Sequence, residues 1–215
     1  MFDVADLDKI TGAVIEGEGE LALDLTREAL GASISASEIL EKGIIPGLQK
    51  VGDLFARGEY FLPELIVSGE AATNALELLE PILSEGGVTS RGKIAIGTVE
   101  GDVHSIGKNI VLMMLKGNGW DVTDLGVDVS PDEFCSAVEK GDFQIIGLSS
   151  LLTMTMPNSA KAIESLKAAG LRDKVKVMVG GAPVTQEWAD KIGADAYAKD
   201  GPTAVKMAAA LLGKS

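Results

Sequence analysis

His104 is the only histidine among 215 residues, and it stands in Gly101-Asp102-Val103-His104-Ser105-Ile106-Gly107. An acidic residue two positions before a histidine and a glycine three positions after it are the parts of a metal-ligand loop. The imidazole supplies a nitrogen donor, and the carboxylate can hold the other ring nitrogen and fix the tautomer. The glycine lets the backbone approach something bulky. One histidine and one cysteine cannot build an ordinary zinc site, which takes about three or four protein ligands. A metal on His104 would therefore draw its other ligands from a cofactor, which points to a macrocycle. Taken alone, a lone loop histidine is more often a surface residue, and Asp102 would serve as a helix cap. The surrounding sequence decides between these readings.

The elements that must position the loop fall into two halves. The first eighty-odd residues carry helical periodicity, with helices expected at about 3–16, 19–31, 36–57 and 62–84. Ser35-Ala36-Ser37-Glu38 supplies cap chemistry before the third helix and Gly58 a stop after it. Pro63 falls in the first turn of the fourth, where a missing N–H costs little, whereas Pro46 should kink or split the third. Four amphipathic helices with short connections predict a bundle. The Gly- and Ser-rich stretch 84–92 reads as an interdomain linker, giving a helical cap domain over 1–86 and an α/β domain over 87–215.

After the linker, strands are expected at 93–98, 122–127, 144–149, 176–179 and 194–198. Helices are expected between and after them at roughly 107–117, 131–140, 157–169, 185–192 and 202–213. Five β/α units imply an α/β fold, a flavodoxin-like (Rossmann-type) five-stranded parallel sheet with helices on both faces. The commonest open order for five strands, 2-1-3-4-5, puts the ligand crevice at the carboxyl ends of strands 1 and 3. Asp102 and His104 lie after strand 1; Ser149, Ser150, Leu151, Leu152 and Thr153 lie after strand 3.

Composition narrows the partners. Apolar residues make up 46% and charged residues 24%, while aromatics at 4% leave the cores to aliphatic side chains. The net charge of −13 repels phosphate backbones and anionic lipid, so neither nucleic acid nor membrane is an expected partner. No apolar run approaches a membrane span, and the N-terminus lacks the pattern of a signal peptide, so a cytoplasmic location is expected. Cys135 reads as a small buried residue in a helix. Trp120 and Trp188 read as structural, and Met113 and Met114 as core.

Asp102-Val103-His104-Ser105-Ile106-Gly107, Ser149-Ser150-Leu151 and Gly180-Gly181-Ala182 together resemble a cobalamin-binding signature, DxHxxG followed by SxL and GG. Val51-Gly52-Asp53-Leu54-Phe55 and Glu59-Tyr60-Phe61-Leu62-Pro63-Glu64-Leu65 look like the helical cap that precedes such a domain in cobalamin-dependent methionine synthase. They match equally the small corrinoid proteins of methylamine, methanol, methoxyaryl and betaine methyltransferase systems. Nearly the whole chain shares this resemblance to the methyltransferase corrinoid proteins.

The resemblance implies cobalamin or a related corrinoid bound with its own base detached and His104 as lower axial ligand to cobalt. Asp102 would accept a hydrogen bond from His104. Thr155 aligns with the third relay member, usually a serine. Ser149 and Thr153 would bond the buried tail, and Gly180 and Gly181 would leave it room. Phe55, Phe61, Leu62 and Leu65 would form an apolar lid over the methyl group, methylcobalamin being the loaded state, and the lid would swing on the linker glycines.

The implied role is a methyl carrier, inert alone. It would be loaded by a substrate-specific methyltransferase and unloaded by a second one acting on tetrahydrofolate or coenzyme M, with a reductive activase as a further partner. Two alternatives share the motifs. A cobalamin-dependent sensor would need a DNA-binding module, for which there is no spare length. The small subunit of an adenosylcobalamin mutase usually lacks the helical cap. A flavodoxin-like domain without cobalt would leave the three motifs to chance.

Overall fold

Glycine at a helix crossing lets two backbones close to contact distance, and the N-terminal half uses this. A computed structural model of the protein describes residues 6–85 and 90–214 and divides into two compact units, one helical and one α/β. In the helical unit, α1 (Leu7–Glu16), α2 (Gly19–Gly31), α4 (Ile45–Ala56) and α5 (Leu62–Glu85) form the bundle. Helix α1 packs on α4 and α2 lies along α5. A β-carbon on Gly47 would sit 2.9 Å from the Val14 side chain and 3.1 Å from the Thr11 carbonyl. No side chain larger than hydrogen fits that crossing. Leu7, Ile10, Val14, Ile44, Leu48 and Val51 are buried here.

The third helix is split, as Pro46 predicts, but the break lies ahead of the proline. The short α3 (Ala36–Ile39) passes into a π-helical turn over Leu40–Ile44 before α4 begins with Pro46 in its first turn. Pro46 has no N–H to give to the carbonyl four residues back, that of Lys42, and its ring crowds that carbonyl. The wider turn relieves the crowding. The Thr11 hydroxyl of α1 donates to the Gly43 carbonyl at 2.8 Å, with the Lys42 carbonyl 3.4 Å away. Ser35 caps α3 through the Glu38 N–H, and Gly58 follows α4 with φ 72°. Residues 3–5 of the expected first helix, and Gly86–Thr89 of the expected linker with the 86/87 boundary, lie outside the described residues.

The α/β unit follows the expected alternation closely. Its strands are β1 (Lys93–Val99), β2 (Asp121–Val129), β3 (Ile145–Ser149), β4 (Lys176–Gly180) and β5 (Ala196–Ala198). All pair in parallel, in the order β2-β1-β3-β4-β5. The helices are α6 (Ile106–Gly117), α7 (Pro131–Lys140), α8 (Met156–Ala168), α9 (Gln186–Ile192) and α10 (Gly201–Leu211). A capping box fixes the start of α7, where Ser130 and Glu133 satisfy each other's backbone N–H.

One face of the sheet is closed by Phe134 and Val138 of α7, Ile163 and Leu166 of α8, and Ala189 of α9. They pack on Ala95, Val99, Ile146, Leu148, Val177 and Val179. Cys135 is half-buried against this core; burial, with Asp132 and Glu139 nearby, pushes its thiol above the ordinary value. Trp120 is buried under the Arg91 guanidinium, 5.7 Å from the ring centre. Among the described residues no helix is long and apolar enough to cross a membrane.

Candidate functional site

In an open parallel sheet the main chain diverges on either side of the first strand, and a crevice opens at the carboxyl ends of the strands flanking that point. Here those strands are β1 and β3. The loop after β1 leaves the sheet through Asp102, and the loop after β3 runs through Leu151, Leu152 and Thr155.

Asp102 joins the two loops. It is fully buried, and five donors converge on its carboxylate. Oδ1 accepts from the His104 backbone N–H at 3.1 Å and lies 2.7 Å from His104 Nδ1. Oδ2 accepts from the Leu151 N–H at 2.8 Å, the Leu152 N–H at 3.3 Å and the Thr155 hydroxyl at 2.7 Å. Burial alone would push this carboxyl above the usual carboxylate range. The hydrogen bonds from Thr155, Leu151 and His104 outweigh burial and hold it well below the usual carboxylate range. Asp102 is thus an anion, and an anion at Nδ1 makes that nitrogen the donor. In the neutral imidazole that arrangement leaves Nε2 without a proton. None of these donors belongs to α6, so the carboxylate serves the two loops and not the helix start.

The imidazole reaches outward, with 46% of its side chain exposed. Its main chain is anchored from below, where buried Thr98 near the end of β1 donates to the His104 carbonyl at 2.9 Å. Val103, Leu151, Leu152 and Met154, from the same two loops, and Ile106 at the start of α6 are exposed. Apolar side chains clustered in the open mark a surface built to be covered. Gly107, in the first turn of α6, is exposed, and a β-carbon there would meet nothing within 4 Å. Nothing in the fold demands glycine at that position.

The third motif closes on the second through backbone. The Ser150 N–H donates to the Gly180 carbonyl at 3.0 Å. A β-carbon on Gly181, where φ is 126°, would lie 1.8 Å from the Ser150 carbonyl oxygen, and one on Gly180 would lie 2.7 Å from the Ala198 carbonyl oxygen. The two glycines are therefore required by the protein's own chain, a reason independent of any tail passing over them. Ser149 is half-buried at the end of β3, while Thr153 and Ala182 are exposed. Ser150, beside the motif position, is buried and shares a hydrogen bond with Ser159 at 3.0 Å.

Thr98 and Leu152 belong to this network although no motif marks them. A threonine in the otherwise apolar run Ile94–Val99 is the one signal for Thr98; Leu152 acts through its N–H and leaves none. Of the expected lid residues, Phe61 is 64% exposed and Leu62 exposed, Phe55 is half-buried, and Leu65 is buried. All four lie in the helical unit.

Among the described residues no group of three or more histidine, cysteine, aspartate or glutamate side chains could hold a metal ion. One bare imidazole nitrogen in an exposed apolar rim, beside a glycine that the fold does not need, fits a metal carried in by a flat apolar macrocycle. Thr155→Val should remove the hydroxyl donor from a buried carboxylate at nearly constant volume. A loss of about 1.5–3 kcal/mol is expected in urea unfolding of the apoprotein, with Thr155→Ser restoring most of it. An unchanged midpoint for Thr155→Val would show that the hydroxyl contributes nothing to Asp102.

Two models, both described as B12 binding domain, match residues 92–208 and residues 6–80. The dimethylamine corrinoid protein 1 of Methanosarcina acetivorans is 46% identical over 207 residues, 96% of this chain and 97% of its own length. The crystal structure of a cobalamin-binding protein from Desulfitobacterium hafniense superposes with a TM-score of 0.81 at 31% identity, covering 98% of this chain and 99% of that one. The methanol:cobalamin methyltransferase complex of Methanosarcina barkeri contains a chain matching with a TM-score of 0.82 at 28% identity, over 97% of this chain and 80% of that one. With both halves matched, and a relative 46% identical over nearly the whole of both chains, the chain belongs to the B12-binding corrinoid proteins of methyltransferase systems.

Proposed function

We propose that this chain is a methyl carrier that holds a corrinoid with the cofactor's own lower base displaced and His104 on cobalt in its place. The observation that carries the reading is the 2.7 Å contact between His104 Nδ1 and the Asp102 carboxylate, which leaves Nε2 bare in an apolar rim. When bound, the corrinoid supplies a cobalt centre that accepts and releases a methyl group.

The chain's own residues do the rest. Asp102 fixes the imidazole tautomer and raises its donor strength. Thr155 holds Asp102 from the far side, and its hydroxyl offers a place for a proton leaving the pair. Ser149 and Thr153 offer hydroxyls to the nucleotide tail, and Ala182 follows the paired glycines beside its path. Val103, Ser105 and Ile106 line the loop on either side of His104. Phe55, Phe61, Leu62 and Leu65, in a cap domain over 1–86, cover the reactive face and exclude water between partners. The α/β domain over 87–215 binds the cofactor.

The methyltransferase complex that contains one of the structural neighbours supports a methyltransferase partner. A substrate-specific methyltransferase loads the carrier, and a second, acting on tetrahydrofolate or coenzyme M, unloads it, with a reductive activase restoring cobalt that has oxidised. The test uses the cobalamin-loaded chain, reduced and treated with ¹³C-methyl iodide. The label should stay on the chain when it is alone and move to coenzyme M or tetrahydrofolate once the matching methyltransferase is added. Label that is never released to either enzyme would contradict the carrier role. In the same experiment Phe61→Ala should retain cobalamin but lose label faster in air; an unchanged decay would remove Phe61 from the lid.

A further inference from the structure

Strand β2 does not run evenly beside β1. Its register shifts between Ile96 and Gly97 and again between Gly97 and Val99, so β2 carries extra residues at the end next to the histidine loop. Bulges of this kind re-aim residues beside functional sites. The second one leaves Asp128 with φ 55°, a left-handed conformation that few non-glycine residues adopt and that aspartate tolerates better than most. The turn takes Asp128 out of the ladder and directs it toward the loop after β1. Its N–H donates to the Asp102 carbonyl at 2.9 Å, and its Oδ1 accepts from the Gly101 N–H at 2.6 Å.

Asp102 is thereby held at both ends. Its carboxylate is fixed from the β3 side by Leu151, Leu152 and Thr155. Its main chain is fixed from the β2 side by Asp128. A carboxylate tied while its backbone swings would let the imidazole wander, and a ligand must be held to about half an ångström to act.

We propose that Asp128 is a positioning residue for the axial-ligand loop, setting the direction of His104 by clamping Gly101 and Asp102 from the neighbouring strand. The proposal rests on the His104 ligation argued above. Asp128 is exposed, so its replacement leaves the core untouched.

Three variants separate its two features. Asp128→Ala removes the acceptor and disfavours the left-handed backbone. Asp128→Gly restores the backbone without the acceptor. Asp128→Asn keeps both the acceptor and the backbone preference. Hydroxocobalamin affinity should fall about 10-fold for the Ala and Gly variants, the usual scale for losing a partner that orients a ligand, and by less than about threefold for Asn.

A second readout needs no cofactor. His104 is the sole histidine, so ring ¹⁵N spectra of the apoprotein in mildly alkaline buffer report it alone. The wild type and the Asn variant should show one tautomer, protonated at Nδ1, and the Ala and Gly variants a mixture. Wild-type affinity together with a single tautomer in Asp128→Ala would overturn the proposal. So would full recovery in Asp128→Gly, which would assign the effect to backbone conformation alone. His104→Ala runs alongside: if it binds cobalamin as the wild type does, the ligation reading fails, and the apoprotein spectra alone then judge Asp128.

Discussion

His104→Ala should weaken hydroxocobalamin binding by about 100-fold, or about 2.8 kcal/mol. Losing a group that merely orients a ligating histidine costs about 10–100-fold, and losing the ligand itself belongs at or beyond the top of that range. The apoprotein should tolerate the change. The imidazole is half exposed, and the Asp102 carboxylate keeps the Thr155 hydroxyl and the three backbone N–H groups of His104, Leu151 and Leu152. A near-wild-type melting temperature with a large loss of binding is the expected pair of results, measured by thermal scan and by equilibrium dialysis. A variant that retains cobalamin with wild-type affinity would mean that the imidazole is not on the metal.

The second large effect is structural. Gly181→Ala would place a β-carbon 1.8 Å from the Ser150 carbonyl oxygen and 2.7 Å from its carbon, on a residue whose φ is already 126°. The obstacle is backbone, so no rotamer relieves it, and the β3 and β4 loops would have to part. A loss above about 4 kcal/mol is expected, a large share of the ~5–15 kcal/mol that holds a typical domain. In urea, the variant should unfold far earlier or fail to accumulate folded.

Gly107→Ala is the informative contrast. Its β-carbon meets nothing, and alanine is the better helix former, so the apoprotein should gain up to about 1 kcal/mol. Cobalamin binding should nonetheless fall, because the free space over Gly107 is what a ligand would occupy. Two motif glycines would then have opposite effects on stability. Equal stability of Gly181→Ala and the wild type would show that the loop rearranges around Ser150 at little cost.

Those glycines show where sequence reasoning stops. Periodicity and cap chemistry locate the strands and most helices to within a residue or two, because local rules govern them; the first helix is described only from Leu7, and the third is split in two by the π turn. Ser35, Gly58 and Pro63 each act where their chemistry predicts. The order β2-β1-β3-β4-β5 also matched the commonest arrangement, and with it the convergence of the loops after β1 and β3.

What remained hidden depends on contacts between distant backbone segments. Pro46 announces a break in the third helix, but the carbonyl that the π turn offers at Gly43 is satisfied by Thr11, some thirty residues away. The close approach of Gly181 to the Ser150 carbonyl, thirty-one residues back, leaves no mark in the sequence beyond the glycine itself. Thr98 and Asp128 fix the main chain around His104 through hydrogen bonds that carry no spacing pattern, and a bulge in β2 cannot be counted from one strand alone. The residues that carry the motif are legible because their types and spacing repeat a pattern; those that hold the loop from behind follow none.

The central claim is that His104 binds the metal, and its most direct test is the Co(II) EPR spectrum of the cobalamin-loaded wild-type chain prepared with ¹⁵N-histidine. With a single histidine in the sequence, any change in the axial nitrogen splitting on labelling comes from His104. The account predicts that the ¹⁴N triplets collapse to ¹⁵N doublets, at near-unit cobalamin stoichiometry after desalting. Triplets that persist unchanged would place the cofactor's own base on cobalt and contradict it.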